Sequence, residues 1–491
     1  MGIIQKQGIQ NTIITYSGIA IGFVSLLYIQ PRFLTKEEIG LVRVLFSFSA
    51  MIATVFPLGT GSITYRYFPF FKDHQKGHHG YFGFMMIWPL IGYAICALAL
   101  LAFRSFIINQ YEVQSRLFTV YFNHVYSFIF IIGFVAIVNS YSFALFKTFF
   151  PSIVNEIVLR IAYIAVILIY AAGWVDLDGF LYLFIGTYLL QLIIVLVYIL
   201  IVDKPGLKIN FDFLKTQNPM KMLSYGLVLS FSGMANLGLK YIDVIILGKY
   251  VSLSKVGVYA LAAFIPTVID APYYALDKIT NPKIGEAWAK KDMGVIQEIY
   301  FKSTRYLMLL GGLIFLGINL NIDQLFTLIP NNYSEGINVV FIISLGTLIN
   351  ISTGVNDAII FTSSKYIYGT YMLLSLLILA VVNNFIFIPK YGIEGAAMAT
   401  ALSAFVYNLM KYLYIWKKFN LQPFGYSSLK IIIIIIITWL TFHWFPVIPN
   451  AVTGIVFKSV LITVFYTGLA YWLGIVPEFH KFLPWNSDRT S

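Results

Sequence analysis

The sequence predicts an all-α integral membrane protein on three observations: fourteen apolar stretches long enough to cross a bilayer, a composition too apolar for a soluble domain, and a six-span unit that occurs twice. A helix needs about 20 apolar residues to cross hydrocarbon. The expected spans lie near 9–30, 41–65, 81–103, 118–141, 153–172, 180–201, 223–247, 256–276, 304–322, 338–361, 368–388, 394–416, 429–445 and 451–474. Hydrophobic residues make up 59% of the 491 residues and charged residues 11%, which excludes an ordinary soluble fold. The first span runs on without a small-residue cleavage site and reads as a retained helix. Cys96 is the single cysteine, so neither an intrachain disulfide nor a cysteine-based metal site is expected.

The repeat rests on two pairs of segments. Phe33-Leu34-Thr35-Lys36-Glu37-Glu38-Ile39-Gly40-Leu41 follows the first span, and Tyr250-Val251-Ser252-Leu253-Ser254-Lys255-Val256-Gly257-Val258 follows the seventh, 217 residues on. Leu177-Asp178-Gly179 opens the sixth span and Ile393-Glu394-Gly395 the twelfth, 216 residues on. A unit with an even number of spans gives two copies of one orientation, the pattern of transporters whose binding site lies between the halves. The expected organisation is a six-helix lobe over 1–201, a second over 202–416, and two more helices with a cytoplasmic tail over 417–491.

A net charge of +12 would suit nucleic acid, but the charge follows topology. Most of the 33 Lys and Arg lie at the termini and after even-numbered spans. The positive-inside rule then places both termini in the cytoplasm, and no nucleic-acid partner is expected. The outer segments are short, and the longest segments, 202–222 and 277–303, are cytoplasmic and lysine-rich. No soluble catalytic domain is present in this pattern, so no catalytic residue and no cofactor is expected.

The stretch Phe33 to Phe48, Tyr225-Gly226, Tyr241 to Lys249 and Val256-Gly257-Val258-Tyr259-Ala260 resemble the polysaccharide-export branch of the MOP superfamily, the Wzx-type flippases related to MurJ-type lipid II flippases and MATE exporters. The resemblance covers spans 1 to 12; the last two spans are similar to those of the fourteen-helix members, MurJ among them. It implies two six-helix lobes around a central cavity. Alternating access would carry an undecaprenyl-diphosphate-linked oligosaccharide from the inner to the outer leaflet, for polysaccharide or lipopolysaccharide biosynthesis at a bacterial inner membrane. The implied partners are that substrate, membrane lipids and polysaccharide-assembly proteins. The alternatives are a MATE-like cation-coupled exporter of small amphipathic molecules and a MurJ-like lipid II flippase.

Such a task binds and gates without making or breaking a bond. An anionic diphosphate leaving water needs cations, so charged residues within spans are the candidates. Ser232, Asn236, Lys240 and Asp243 fall on one face of span 7, and Lys240 and Asn236 are candidate substrate contacts. The other reading of that stripe is that Lys240 and Asp243 neutralise one another one turn apart. Arg43 and Arg66, at opposite ends of span 2, are further phosphate candidates, close enough to an interface to snorkel. Glu156 and Arg160, four residues apart, read as an internal pair. Asp243, Asp270 and Asp357 are candidates for ion coupling or gating if buried. Asp277 shares a face with Asp270, and Asn350 and Thr353 share one with Asp357.

Other signals carry less. Asp176-Leu177-Asp178 mimics a glycosyltransferase motif but lies in a short outer loop. His74, His78 and His79 share a polar loop with Lys72 and Lys76 and read as solvated, so no metal is expected. The aromatic content, 17%, fits interface anchoring, and the isoleucine run 431–437 reads as lipid-facing. Spans 13 and 14 suit either a groove for the polyprenyl tail or packing outside the transport core.

Overall fold

A computed structural model describes residues 3–216, 218–446 and 448–475, apart from the side chains of 3–9, 12, 216, 231, 232 and 234–236. Among the described residues there are helices and no strands, the expected class. The longer helices are α1 (Ile3–Val24), α2 (Lys36–Ala53), α3 (Thr60–Phe71), α4 (Tyr81–Tyr111), α5 (His124–Ala144), α6 (Leu159–Ala171), α7 (Leu177–Val202) and α8 (Pro219–Tyr250). They continue as α9 (Leu253–Phe264), α10 (Ala271–Ala289), α11 (Met293–Asn319), α12 (Ile337–Ile351), α13 (Asn356–Thr362), α14 (Tyr366–Phe419), α15 (Tyr426–His443) and α16 (Ala451–Trp472).

Eleven helical segments among the described residues are long and apolar enough to cross a membrane, where the sequence predicts fourteen. The difference has local causes. Expected spans 11 and 12 run together as α14, interrupted only at Gly392 with φ 57° and ψ −128°, a conformation open to glycine. Expected span 2 is divided between α2 and α3, and expected span 7 is present as the 32-residue helix α8, whose side chains are described only in part.

The chain packs as two units, Met1–Gly257 and Val258–Ser491. In the first, α2 packs on α5 and α8, α5 on α7, and α3 on α5 and α8. Leu41, Val44 and Leu45 of α2 and Val125, Phe128 and Ile129 of α5 are buried. Gly18 and Gly22 of α1 face Glu156 and Arg160, which form the expected i,i+4 ion pair at 2.8 Å. In the second unit, α15 and α16 pack on α11. Tyr466 donates to the Leu309 carbonyl at 3.0 Å, and Lys458 Nζ donates to the Leu320 carbonyl at 2.6 Å. That bond satisfies both an intramembrane ammonium and a carbonyl left open at a helix end.

The repeat is visible in the backbone. Leu34 and Val251 are both extended, with φ/ψ of −114°/147° and −131°/160°. Their N–H groups donate to Gln30 and Leu247 at 2.8 Å each. One turn on, the N–H groups of Ile39 and Val256 donate to Thr35 and Ser252 at 3.1 Å each. The two segments also touch reciprocally: a Cβ on Gly40 would strike the Leu253 carbonyl, and a Cβ on Gly257 would strike the Lys36 carbonyl. Bare glycines allow this approach of two helix N-termini, as small residues do between membrane helices. Thr35 additionally closes a capping box with Glu38, for which the second copy has Lys255.

Candidate functional site

In the first unit the site begins with a broken helix. Pro57 supplies no N–H, Leu58 and Gly59 take φ of 49° and 75°, and α2 stops six residues short of α3. Gly59 sits so close to Gly226 of α8 that a Cβ would meet its carbonyl. Irregular backbone at membrane depth is tolerated where protein buries it or a polar cavity solvates it, and discontinuous helices mark binding sites in transporters. Here the break lines a cavity of 270 Å³ whose polar wall comes from Thr54, Ser62, Ser140, Ser230 and Tyr241. Hydroxyls both donate and accept, so this wall suits an uncharged polar group such as a sugar.

Of the candidates from the sequence, Lys240 is exposed, its ammonium 5.3 Å from the ring of Tyr241, the cavity residue beside it. Asp243 is buried, so the two charges of the stripe occupy different environments. The side chains of Ser232 and Asn236 lie outside the described residues. Arg43 is half-buried on α2 one turn before Phe46, whose ring packs edge-on against Tyr241. Arg66 is exposed on α3 and lies over the ring of Tyr225 at 4.4 Å, a cation–π contact.

The second unit holds a buried polar cluster. Lys411 Nζ reaches Oδ1 and Oδ2 of Asp357 at 3.0 Å each. Tyr407 donates to Oδ1 at 3.2 Å and Tyr273 to Oδ2 at 3.4 Å. The Lys411 side chain is 1% exposed and that of Asp357 34%. Beside them, Asn408 donates to Asn350 and accepts from Thr353 and Asn356. Removing the carboxylate would strand the buried Lys411 ammonium, at a cost of about 3–5 kcal/mol; a stranded Asp357, one-third exposed, would cost less. Asp270, at the end of a 3-10 turn, is half-buried. Sequence reasoning missed Lys411 by assigning it to the cytoplasmic end of span 12. Its signal was Tyr407, Asn408 and Lys411 on one helical face.

At the end of α7 the structure corrects the reading of the histidine loop. His78 is fully buried, its Nδ1 accepting from the Asp73 backbone N–H at 3.0 Å and its Nε2 facing Asp203 at 3.1 Å. Tyr141 donates to the other carboxylate oxygen at 2.7 Å. His79 stacks on Phe213 at 3.8 Å, while His74 stays 66% exposed. Donor atoms of His74, His78 and Asp203 lie within 4.8 Å of one another. A metal on His78 Nε2 would require the ring proton on Nδ1, which already accepts an N–H, so the geometry fits a hydrogen-bonded tie better than a metal site. Burial pushes the Asp203 carboxyl up, yet hydrogen bonds from His78 and Tyr141 and the nearby imidazoles hold it below its ordinary value. Asp176 of the outer motif is a helix cap, accepting from Gly179 N–H at 2.8 Å.

Comparison with known proteins agrees with this architecture. CapF of Staphylococcus aureus, a capsular polysaccharide biosynthesis protein, is 28% identical over 178 residues. That match covers 35% of this chain and 42% of CapF, so the chain spans less than half the length of this curated relative. Among solved structures, the lipid II flippase MurJ in an inward closed conformation is similar in fold with a TM-score of 0.73. It is 14% identical, and the match covers 95% of this chain and 100% of MurJ. An inward-facing multidrug resistance MATE family transporter of the MOP superfamily is similar with a TM-score of 0.66 and 14% identity, covering 83% of this chain and 94% of that one. The family described as "Polysaccharide biosynthesis protein" matches residues 5–273, more than half of this multi-pass membrane protein, and the chain therefore belongs to that family.

Proposed function

We propose that the protein is a flippase that moves an undecaprenyl-diphosphate-linked oligosaccharide from the inner to the outer leaflet of a bacterial inner membrane by alternating access, for polysaccharide or lipopolysaccharide biosynthesis. The observation that carries this reading is the family match over 5–273 in a chain whose fold, the last two helices included, parallels MurJ over 95% of its length. The hydroxyl-lined cavity beside the α2–α3 break supports it as a place for sugar, with Lys240 and Arg43 as cations for the diphosphate. Asn236 and Arg66 complete the proposed contacts. Both termini are cytoplasmic in this reading, and the partners are membrane lipids and polysaccharide-assembly proteins. The transport step needs no bond chemistry, and we assign no catalytic group.

A MATE-like exporter of amphipathic cations is the competing reading. The acids Asp270, Asp277 and Asp357 of the second unit favour it, but Lys411 already neutralises Asp357. The deciding experiment is mass spectrometry of lipid co-purified with the protein, followed by reconstituted transport of that lipid beside a panel of organic cations. A polyprenyl-diphosphate glycan that is bound and translocated is the expected result; cation transport with no lipid-linked glycan would replace the flippase reading with the exporter.

A further inference from the structure

A carboxylate that exchanges a coupling cation with solvent must present open coordination positions when empty. Asp357, although its side chain is 34% exposed, has both oxygens already engaged. Each of its oxygens takes one contact from Lys411 Nζ and one from a tyrosine hydroxyl. The ammonium lies on the interior side: Lys411 is 1% exposed, and its Nζ is 4.1 Å from the Tyr407 ring centroid. The positive charge is thus enclosed between a carboxylate and an aromatic face, both favourable to it. Any cation from solution would have to displace an ammonium that is buried and bonded to both carboxylate oxygens.

We propose that Lys411 is a tethered counter-cation. It occupies the position on Asp357 that a dissociable monovalent cation would take, so Asp357 holds α13 to α14 and does not bind or release an inorganic cation. Asp277 lies within electrostatic reach of Asp357 but gains no cation from this arrangement, and Asp270 has no share in it. Any ion that drives transport must therefore bind elsewhere than Asp357. The binding statement stands apart from the flippase reading; only the word coupling rests on it.

The chemistry gives a gain-of-function test. Removing the ammonium while keeping the carboxylate and two tyrosine oxygens leaves a cluster of hard oxygen ligands, the donor set of alkali and alkaline-earth cations. Purified full-length protein is unfolded thermally in Na+, Li+ or K+ chloride at constant ionic strength, with choline chloride as the inert salt. The wild type and the double variant Lys411→Met with Asp357→Asn should respond to the four salts alike, whether or not a cation binds elsewhere in the protein. Lys411→Met should acquire a saturable rise of about 2 °C in at least one alkali salt, and Lys411→Met with Asp357→Asn should lose it. A saturable cation response in the wild type that is absent from the double variant overturns the proposal. So does a folded Lys411→Met without any response. If Lys411→Met alone does not fold, the uncharged double variant against the wild type still decides, since the proposal requires the two to respond to the cation alike. Transport is not measured, so failure of the flippase reading and failure of this one stay distinguishable.

Discussion

Lys240 and Asp243 sit less than one helical turn apart, one exposed and the other buried, and their roles separate by mutation. Lys240→Ala should impair export of lipid-linked glycan while the protein remains folded and inserted, and Lys240→Arg should retain more export because the charge persists. Rescue by Lys240→Ala with Asp243→Ala would instead identify mutual neutralisation and remove Lys240 from the substrate path. Around Asp203, Tyr141→Phe should lower stability by about 1.5–3 kcal/mol, the loss of one hydrogen bond to a charged group, read as a denaturation midpoint. Because the Asp203 carboxyl is held below its ordinary value of 3.8, its stabilisation is complete above that pH and is lost only as the pH falls below it. The Tyr141→Phe deficit should therefore be constant from pH 6 to pH 8; a deficit that grows within that range would assign it to another group. Single residues were legible in the sequence where the partner is one turn away, as for Glu156 and Arg160. They were not legible where the partner is 54 residues off, as for Lys411 and Asp357, or 125 off, as for His78 and Asp203.

At the scale of elements, periodicity located the helices but not their interruptions. The apolar run 41–65 reads as one span, yet Pro57-Leu58-Gly59 ends α2, and the break is what lines the cavity. Hydropathy averages over such a break, whereas the Pro and Gly that mark it were present in the sequence as turn signals. The Gly40 and Gly257 contact allows a direct test. Gly40→Ala should destabilise the protein by roughly 1–3 kcal/mol, the range for forcing a methyl group into filled space. Gly186→Ala in α7, where nothing lies within 4 Å, should be neutral or slightly stabilising. Equal effects at the two positions would contradict the close approach.

For the whole molecule, fold class was legible because a bilayer demands long apolar helices, and one pair of matched segments was legible because both keep the same turn before a helix. Side-chain depth was not, since hydropathy carries no information on which face a helix turns inward. The orientation expected from the charge pattern can be tested directly. With Cys96 replaced, single cysteines at Lys72, Lys215 and Lys291 should resist impermeant reagents in intact cells, while those at Asp176 and Asn332 react. The opposite pattern would invert the direction of transport.

The reciprocal seam at Gly40 and Gly257 bears on how a duplicated sequence can drift. After duplication, two copies ordinarily accumulate changes independently, because each position answers to its own surroundings. At this seam the surroundings of each copy are the backbone of the other: Lys36 and Gly40 abut Gly257, while Leu253 and Gly257 abut Gly40. A side chain gained on either helix displaces the shared contact for both, so once one glycine is lost the second has less left to protect. Gly40→Ala and Gly257→Ala should accordingly cost less together than the sum of their separate effects, so that a change at one glycine alters the constraint on the other.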